Sequence, residues 1–258
     1  RDEWIALFFS LFEKMELSLH TLLRYPVTDP YYLSMQLLEG LAYLEEKGIM
    51  HRDLKPANIL LRTEGNRWLL KIADFGAASQ IGSVHARNNH VTTWWYRAPE
   101  HFFAQANNKE DLTFNTKLDV WAAGCIIAEI FLQEPLMQLI CQTDQAGDNL
   151  KTTELFSKAL FNEDSIEHSS LVYQAIERKA FYEKIKDKLP PKLFNILKDM
   201  LAVNPEERIL ATEALRRFKA QYPSDTRPDA AALSEIEDVK TDETNVFPDS
   251  PTSKKFSA

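Results

Sequence analysis

Eight residues, His51-Arg52-Asp53-Leu54-Lys55-Pro56-Ala57-Asn58, constrain this chain more than any other stretch of it. Two carboxylate or amide side chains, three basic ones and a proline inside eight positions cannot form a buried strand or an amphipathic helix. The run must be a loop, and its neighbours show what holds it. Upstream, Asp29 can cap a helix and Pro30 suits its first turn. Leu37, Leu38, Leu41, Ala42 and Leu44 then recur at three- and four-residue spacing, and Gly48 is placed to end the helix. Downstream, Ile59-Leu60-Leu61 and Leu69 to Ala73 flank a turn-like segment, Thr63 to Arg67, which predicts a small hairpin. Sixteen residues after Asn58 stands Asp74-Phe75-Gly76, and later Ala98-Pro99-Glu100.

Between those two tripeptides, residues 77–98 have no period and are rich in Asn, Ser and His, so they read as one long functional loop. Residues 4–12 (WIALFFSLF) read as a buried strand, and Lys117 to Phe131 as a helix apolar on nearly all sides and therefore buried. Amphipathic helices are expected around 150–161, 168–187, 191–202 and 210–219. From about 221 onward Pro, Asp, Ser and Thr dominate, which predicts a disordered acidic tail. The expected class is mainly α, with a short β-hairpin beside the charged loop.

Composition closes off other functions. The chain is 45% hydrophobic and 26% charged, ordinary for a globular protein, and its formal charge is −8 with no dense Lys/Arg run. Nucleic-acid binding is therefore not expected. Cys125 and Cys141 can build neither a disulfide framework nor a metal site, so they read as reduced thiols of a cytosolic-type protein. The most apolar stretch, Val120 to Leu132, is interrupted by Glu129 and is too short to cross a bilayer, which needs about 18 residues. Nothing near the start has the basic segment and small-residue cleavage site of a signal peptide.

Taken in order and spacing, H-R-D-L-x-x-x-N, D-F-G and A-P-E resemble the signature set of protein kinases. The resemblance implies the large, C-terminal lobe of that fold, with ATP and Mg²⁺ as cofactors. Asp53 would accept or orient the proton of the substrate hydroxyl, Lys55 would place a cation on the γ-phosphate, and Asn58 and Asp74 would supply hard oxygens to Mg²⁺. Lys55-Pro56 is similar to the serine/threonine branch. Thr93 stands where kinases place a threonine bonded to the catalytic aspartate. His51, Phe75 and Gly76 belong to the same signatures. Asp119 resembles the buried aspartate that anchors the catalytic loop, and Arg208 the arginine that pairs with Glu100. Trp95-Tyr96-Arg97-Ala98-Pro99-Glu100 is similar to the CMGC group of cyclin-dependent and mitogen-activated kinases. There the arginine at Arg97 shapes a pocket favouring proline after the target Ser or Thr, and Glu134 to Pro190 is compatible with that group's insert.

By the same resemblance residues 1–23 would be the last small-lobe strand and the lobe connector, 24–220 the large lobe, and 221–258 the tail. Phe12 would control the back pocket, Glu13 and Met15 would offer backbone groups to the adenine, and Leu60 would form the pocket floor. Simple core packing is the competing reading for Phe12, Met15 and Leu60. The seven glycines are scattered (40, 48, 65, 76, 82, 124 and 147), so no G-x-G-x-x-G is present, nor is a V-A-I-K lysine. The small β-rich lobe is therefore expected to be missing apart from its last strand, and the chain to be a fragment with little activity alone. A pseudokinase or scaffold module is the alternative. An unrelated nucleotide hydrolase is disfavoured, because no G-x-x-x-x-G-K-[ST] occurs.

Arg52 beside Asp53 usually marks activation by a phosphorylated loop, yet the position used by cyclin-dependent kinases is Asn88 here. Ser79, Ser83 and Thr92 are out of register. Activation by a protein partner, cyclin-like or other, is expected, alongside protein substrates, no membrane association, and a cytoplasmic or nuclear setting. Ser250-Pro251, followed by Lys254-Lys255, is the kind of site proline-directed kinases modify, although a plain solvated tail explains it as well.

Overall fold

The computed structural model describes residues 13–82, 94–106, 114–137 and 180–223. Its longest helix, α2 (Pro30–Glu46), forms as the pattern requires. Asp29 accepts the Tyr32 amide at 3.2 Å, Pro30 occupies the first turn, and Leu33, Leu37, Leu38, Leu41 and Leu44 are buried. The chain leaves through Lys47 and Gly48, the latter at φ +64, where a side chain would be strained. Before α2 come the two-residue strand β1 (Leu17–Ser18) and the single turn α1 (Leu19–Leu22). After it come β2 (Ile49–Met50), a 3₁₀ turn (Pro56–Asn58), β3 (Ile59–Glu64), β4 (Arg67–Ile72), a second 3₁₀ turn (Phe75–Ala77) and β5 (Ser79–Gln80).

The expected hairpin is present and larger than the sequence suggested. β3 and β4 pair antiparallel from Ile59↔Ile72 to Glu64↔Arg67, and β1 adds a third strand through Leu17↔Leu61. The sheet packs on α2 through one buried amide. Gln36 Nε2 donates to Trp68 O at 2.9 Å, and Gln36 Oε1 accepts the Leu70 amide at 3.0 Å. Gly40 lets the helix approach, since a Cβ there would stand 2.9 Å from Ile72 Cδ1.

A further 3₁₀ turn (Trp94–Tyr96) and α3 (Pro99–Ala106) lead to α4 (Lys117–Leu132), followed by α5 (Ala180–Ile185), α6 (Pro191–Met200) and α7 (Ala211–Gln221). α4 is buried from Leu118 through Ile130, with acidic Asp119 and Glu129 inside the apolar run. It runs one residue past its expected end, and α7 two. The expectation of one unstructured loop over 77–98 is corrected at both ends: Ser79–Gln80 pairs with Ile49–Met50, and Trp94–Tyr96 forms a turn against α4. α3 has no counterpart in the sequence reading. The expected strand at 4–12, the helix at 150–161, most of that at 168–187 and nearly all of the tail lie outside the described residues. Among the described residues, no helix is long and apolar enough to cross a membrane.

The residue before α7 is Leu210, whose side chain cannot cap the helix, and Glu45 of α2 supplies the cap instead. Glu45 Oε1 accepts the Ala211 amide at 3.0 Å, and Oε2 accepts the Thr212 amide at 3.0 Å and its hydroxyl at 2.8 Å. Charge-assisted hydrogen bonds to orphan amides at a helix start contribute about 2 kcal/mol. Glu45→Ala is expected to lower the unfolding free energy by about that amount, read from urea denaturation.

Candidate active site

The charged loop is held from below by one carboxylate. Asp119, in the first turn of α4, accepts the His51 amide on Oδ2 at 2.7 Å and the Arg52 amide on Oδ1 at 2.9 Å. Burial pushes the Asp119 carboxyl up to about 7, against the pull of these two amides and of the Arg52 charge. To present both amides to one carboxylate, Arg52 adopts φ +72, a left-handed conformation that disfavours a side chain. His51 is buried, which depresses its pKa and keeps the ring neutral. Its Nε2 lies 2.9 Å from Ala73 O, which can only accept, so the ring proton sits on Nε2 and Nδ1 accepts the Asp53 amide at 3.3 Å. The imidazole thus ties the loop to the segment entering Asp74, and Phe75 lies edge-on to it at 4.9 Å.

Asp53, Lys55 and Asn58 converge. Lys55 Nζ is 2.7 Å from Asp53 Oδ2, and Asn58 Nδ2 donates to Asp53 O at 2.8 Å and to Oδ2 at 3.3 Å. Asn58 O in turn accepts the Ala73 amide at 2.8 Å, which sets Asp74 beside the same loop. Asp74 stands at φ +62, accepts the Gly76 amide on Oδ1 at 3.3 Å, and is exposed. Arg52 and Asp74 are two of the three non-glycine residues at positive φ among the described residues. Strained backbone concentrates at functional sites. Phe75 is 47% exposed, a large apolar ring presented outward beside this cluster.

The donor set fits Mg²⁺ of the kind that substrate phosphates hold in the main. Among the described residues no three His, Cys, Asp or Glu side chains come together as a metal cage. Asn58, whose Nδ2 is spent on Asp53, keeps Oδ1 as a donor, and Asp74 adds a carboxylate. Two hard oxygens on the protein side suit an ion that keeps water and binds phosphate oxygens.

Phe12 and Thr93 lie outside the described residues, as do Ser83, Asn88 and Thr92. Glu13 is exposed and pairs with Arg62 of β3 at 2.9 Å, while Met15 is half-buried. Leu60 is half-buried on the face of β3 opposite Ile59 and Leu61, which argues against a plain core role. A residue the sequence did not single out, Glu16, fixes the segment before β1 to the sheet. Its amide donates to Leu61 O at 2.8 Å, and its Oε1 accepts the Thr63 amide at 3.0 Å and hydroxyl at 2.6 Å. Arg52 Nη1 reaches Ser79 Oγ at 3.4 Å.

Beyond the loop, Arg97 is buried with its guanidinium 5.8 Å from the Phe102 ring centre. Glu100 and Arg208 form a bidentate pair, 2.8 Å at each contact, as the resemblance implied. Tyr96 donates its hydroxyl to Glu129 at 2.8 Å. Next to them His101 is buried, with Nδ1 lacking a hydrogen bond and the ring 4.2 Å from that of Phe114. Burial, reinforced by the charges of Arg97, Arg52 and Arg208, pushes the His101 pKa down to about 3. An unfolded histidine protonates near pH 6.5, so this group favours the folded state above about 6.5 and loses that contribution as pH falls toward 3. His101→Leu is expected to flatten the wild-type decline in stability between pH 7 and 5, by up to about 1.4 kcal/mol per pH unit, in urea titrations at each pH.

A protein kinase domain model matches residues 4–218, starting within the segment expected as strand and connector. Cyclin-dependent kinase 11 of Dictyostelium discoideum is 35% identical over 204 residues, 75% of this chain and 53% of that protein. Mitogen-activated protein kinase 12 of Danio rerio is 35% identical over 188 residues, 71% and 48%. CTD kinase subunit alpha of Schizosaccharomyces pombe is 34% identical over 200 residues, 74% and 32%. The chain thus spans about half the length of the first two relatives and a third of the last. Among solved structures, the yeast RNA Pol II CTD kinase CTDK-1 complex contains a similar chain, with TM-score 0.60 and 27% identity, covering 84% of this chain and 72% of that one. The chain belongs to the protein kinase family, with its relatives in the CMGC group of cyclin-dependent and mitogen-activated kinases.

Proposed function

We propose that this chain carries the large-lobe half of a serine/threonine kinase site, transferring the γ-phosphate of ATP to protein hydroxyls. The observation that carries this reading is the Asp53–Lys55–Asn58 cluster, pinned through Asp119 and closed against Asp74. Asp53 accepts the proton of the attacking hydroxyl, and Lys55, already beside it, lies ready to move its charge onto the transferred group. Asn58 and Asp74 would hold Mg²⁺, which when bound neutralises phosphate charge. Residues 1–23 act as connector, Phe12, Glu13, Met15 and Leu60 line the adenine side, and Thr93 bonds the catalytic aspartate. The 258 residues contain no glycine-rich phosphate loop, so the reading includes low turnover by this chain alone. A cyclin-type protein partner accompanies it, supported by relatives named for cyclin-dependent kinases; a cytoplasmic or nuclear setting is part of the same reading.

Proline direction rests on Arg97, buried just before Ala98-Pro99-Glu100. The test is phosphorylation of paired peptides, Ser-Pro and Ser-Ala, by the chain and by any longer product containing it. At least about tenfold preference for Ser-Pro is expected, corresponding to about 1.4 kcal/mol, and its erosion by Arg97→Ala. Thermal stabilisation by Mg²⁺-ATP without phosphate transfer from either product would favour the scaffold reading instead.

A further inference from the structure

Where α2 starts and α7 ends, the two helices enclose a cavity of about 310 Å³ that no residue of the Asp53–Lys55–Asn58 cluster lines. Tyr31, Tyr32 and Met35 wall it from α2, Tyr222 and Pro223 wall it from the chain leaving α7, and Asp29 supplies its one carboxylate. The rings brace one another. Tyr31 stands 4.5 Å from Tyr222 and meets Phe131 edge-on at 4.9 Å, and Tyr222 stands 5.1 Å from Phe218. One polar atom beside this recess is left over. Asp29 spends Oδ1 on the Tyr32 amide, while its Oδ2 is buried and accepts no hydrogen bond among the described residues. Arg67 Nε approaches Oδ2 only to 3.9 Å, beyond hydrogen-bond distance, with its guanidinium carbon 4.6 Å from the Tyr32 ring centre. Burial pushes the Asp29 carboxyl up, against the pull of the Tyr32 amide and the Arg67 charge. An aromatic recess beside an under-compensated carboxylate suits a cation on an apolar stem with an aromatic ring next to it. We propose that the chain's own Lys254-Lys255-Phe256 occupies this cavity and clasps the end of the tail to the start of α2.

Position and charge select that segment. Pro223 is part of the cavity wall, and residues 224–258, which lie outside the described residues, set out from the site to which they return. A random coil as long as residues 224–253 spans about 30 Å root-mean-square. Such a tether keeps its far end at an effective concentration on the order of millimolar, so even a weak contact is populated. Within the tail, residues 225–249 are predominantly acidic and are repelled by Asp29. Lys254-Lys255 is its one adjacent basic pair, and Phe256 follows directly. Phe256 fits among the tyrosines, and a lysine ammonium brings Asp29 the donor that Oδ2 lacks.

The clasp does not depend on phosphate transfer and is tested without it. In the full chain, Phe256 is replaced by the photoreactive residue benzoyl-phenylalanine, the protein is irradiated, and the adducts are mapped by mass spectrometry. Adducts are expected within single copies, concentrated on residues 29–35 and 221–223. Their yield should fall about tenfold when Lys254→Glu and Lys255→Glu are combined, the loss of one charge-assisted hydrogen bond. Asp29→Asn should lower the yield as well, and because asparagine still accepts the Tyr32 amide, α2 keeps its cap and the thermal midpoint stays near that of the wild type. Adducts scattered over the surface, or a yield indifferent to either the lysine or the Asp29 substitution, overturn the clasp. Adducts found only between two copies assign the cavity to a second chain's tail and overturn it too.

Discussion

If the proposed kinase function holds, Asp53→Asn is expected to leave the fold intact and to lower kcat for peptide phosphorylation by about 10²–10⁴-fold, the contribution of a positioned general base. The structure keeps the two effects apart. Asn58 Nδ2 holds the backbone carbonyl of residue 53 at 2.8 Å, and the His51 ring accepts its amide, so neither contact needs the carboxylate. What the substitution removes is the partner of Lys55 at 2.7 Å and the one oxygen pair in the loop able to take a proton. The measurement is steady-state kinetics with an active product containing this chain, beside its thermal midpoint. A variant retaining more than about a tenth of wild-type kcat would sink the assignment of Asp53 as base, since the expected loss starts near 10². Asp74→Asn separates the proposed roles further, because it weakens the proposed cation ligand and leaves the proposed proton acceptor in place. Its loss should shrink as Mg²⁺ is raised, and that of Asp53→Asn should not.

Much of this arrangement was legible because the chemistry is local in sequence. Asp53, Lys55 and Asn58 lie within six positions, and the capped helix and hairpin on either side announce themselves through period and turn residues. The resemblance put Asp74 near the same loop, and the hairpin, which returns the chain to where it left, sets Ala73 against Asn58 there. What stayed hidden is what pairs across distance. Glu45 caps a helix 166 residues away, and Glu16 takes Thr63 from 47 residues away. A glutamate on a helix face carries no mark of whether solvent or a distant amide will satisfy it. Glu129 registered only as the charge that interrupts an apolar run, because its partner is a tyrosine 33 residues upstream in a stretch without period. The strand Ser79–Gln80 was missed for a related reason: two residues supply no alternation to count, and their pairing with Ile49–Met50 is decided by tertiary contact.

Arg208→Leu is expected to destabilise the fold by about 3–5 kcal/mol, the range for stripping one partner from a buried ion pair. The Arg208 side chain is 0% exposed and that of Glu100 14%, with both guanidinium nitrogens on the carboxylate at 2.8 Å. The same group donates to Lys117 O at 2.8 Å and Ala202 O at 3.0 Å, and its carbon lies 5.3 Å from the Trp121 ring centre. Leucine would strand the Glu100 charge and leave two carbonyls short of a donor, so packing alone cannot compensate. Lysine should recover only part of the loss, because an ammonium cannot keep the two-pronged contact and the carbonyl bonds together. The control is Arg216, whose side chain is 68% exposed while it pairs with Glu213 at 2.7 Å. A surface pair of that kind is screened by water and contributes little, so Arg216→Ala should barely move the urea midpoint. Similar distances with opposite outcomes would show that burial, rather than the ion pair as such, gives the bond between Glu100 and Arg208 its strength. If Arg208→Leu costs no more than Arg216→Ala, the pair contributes no more than a surface contact, and the account of how the turn before Glu100 is held must change.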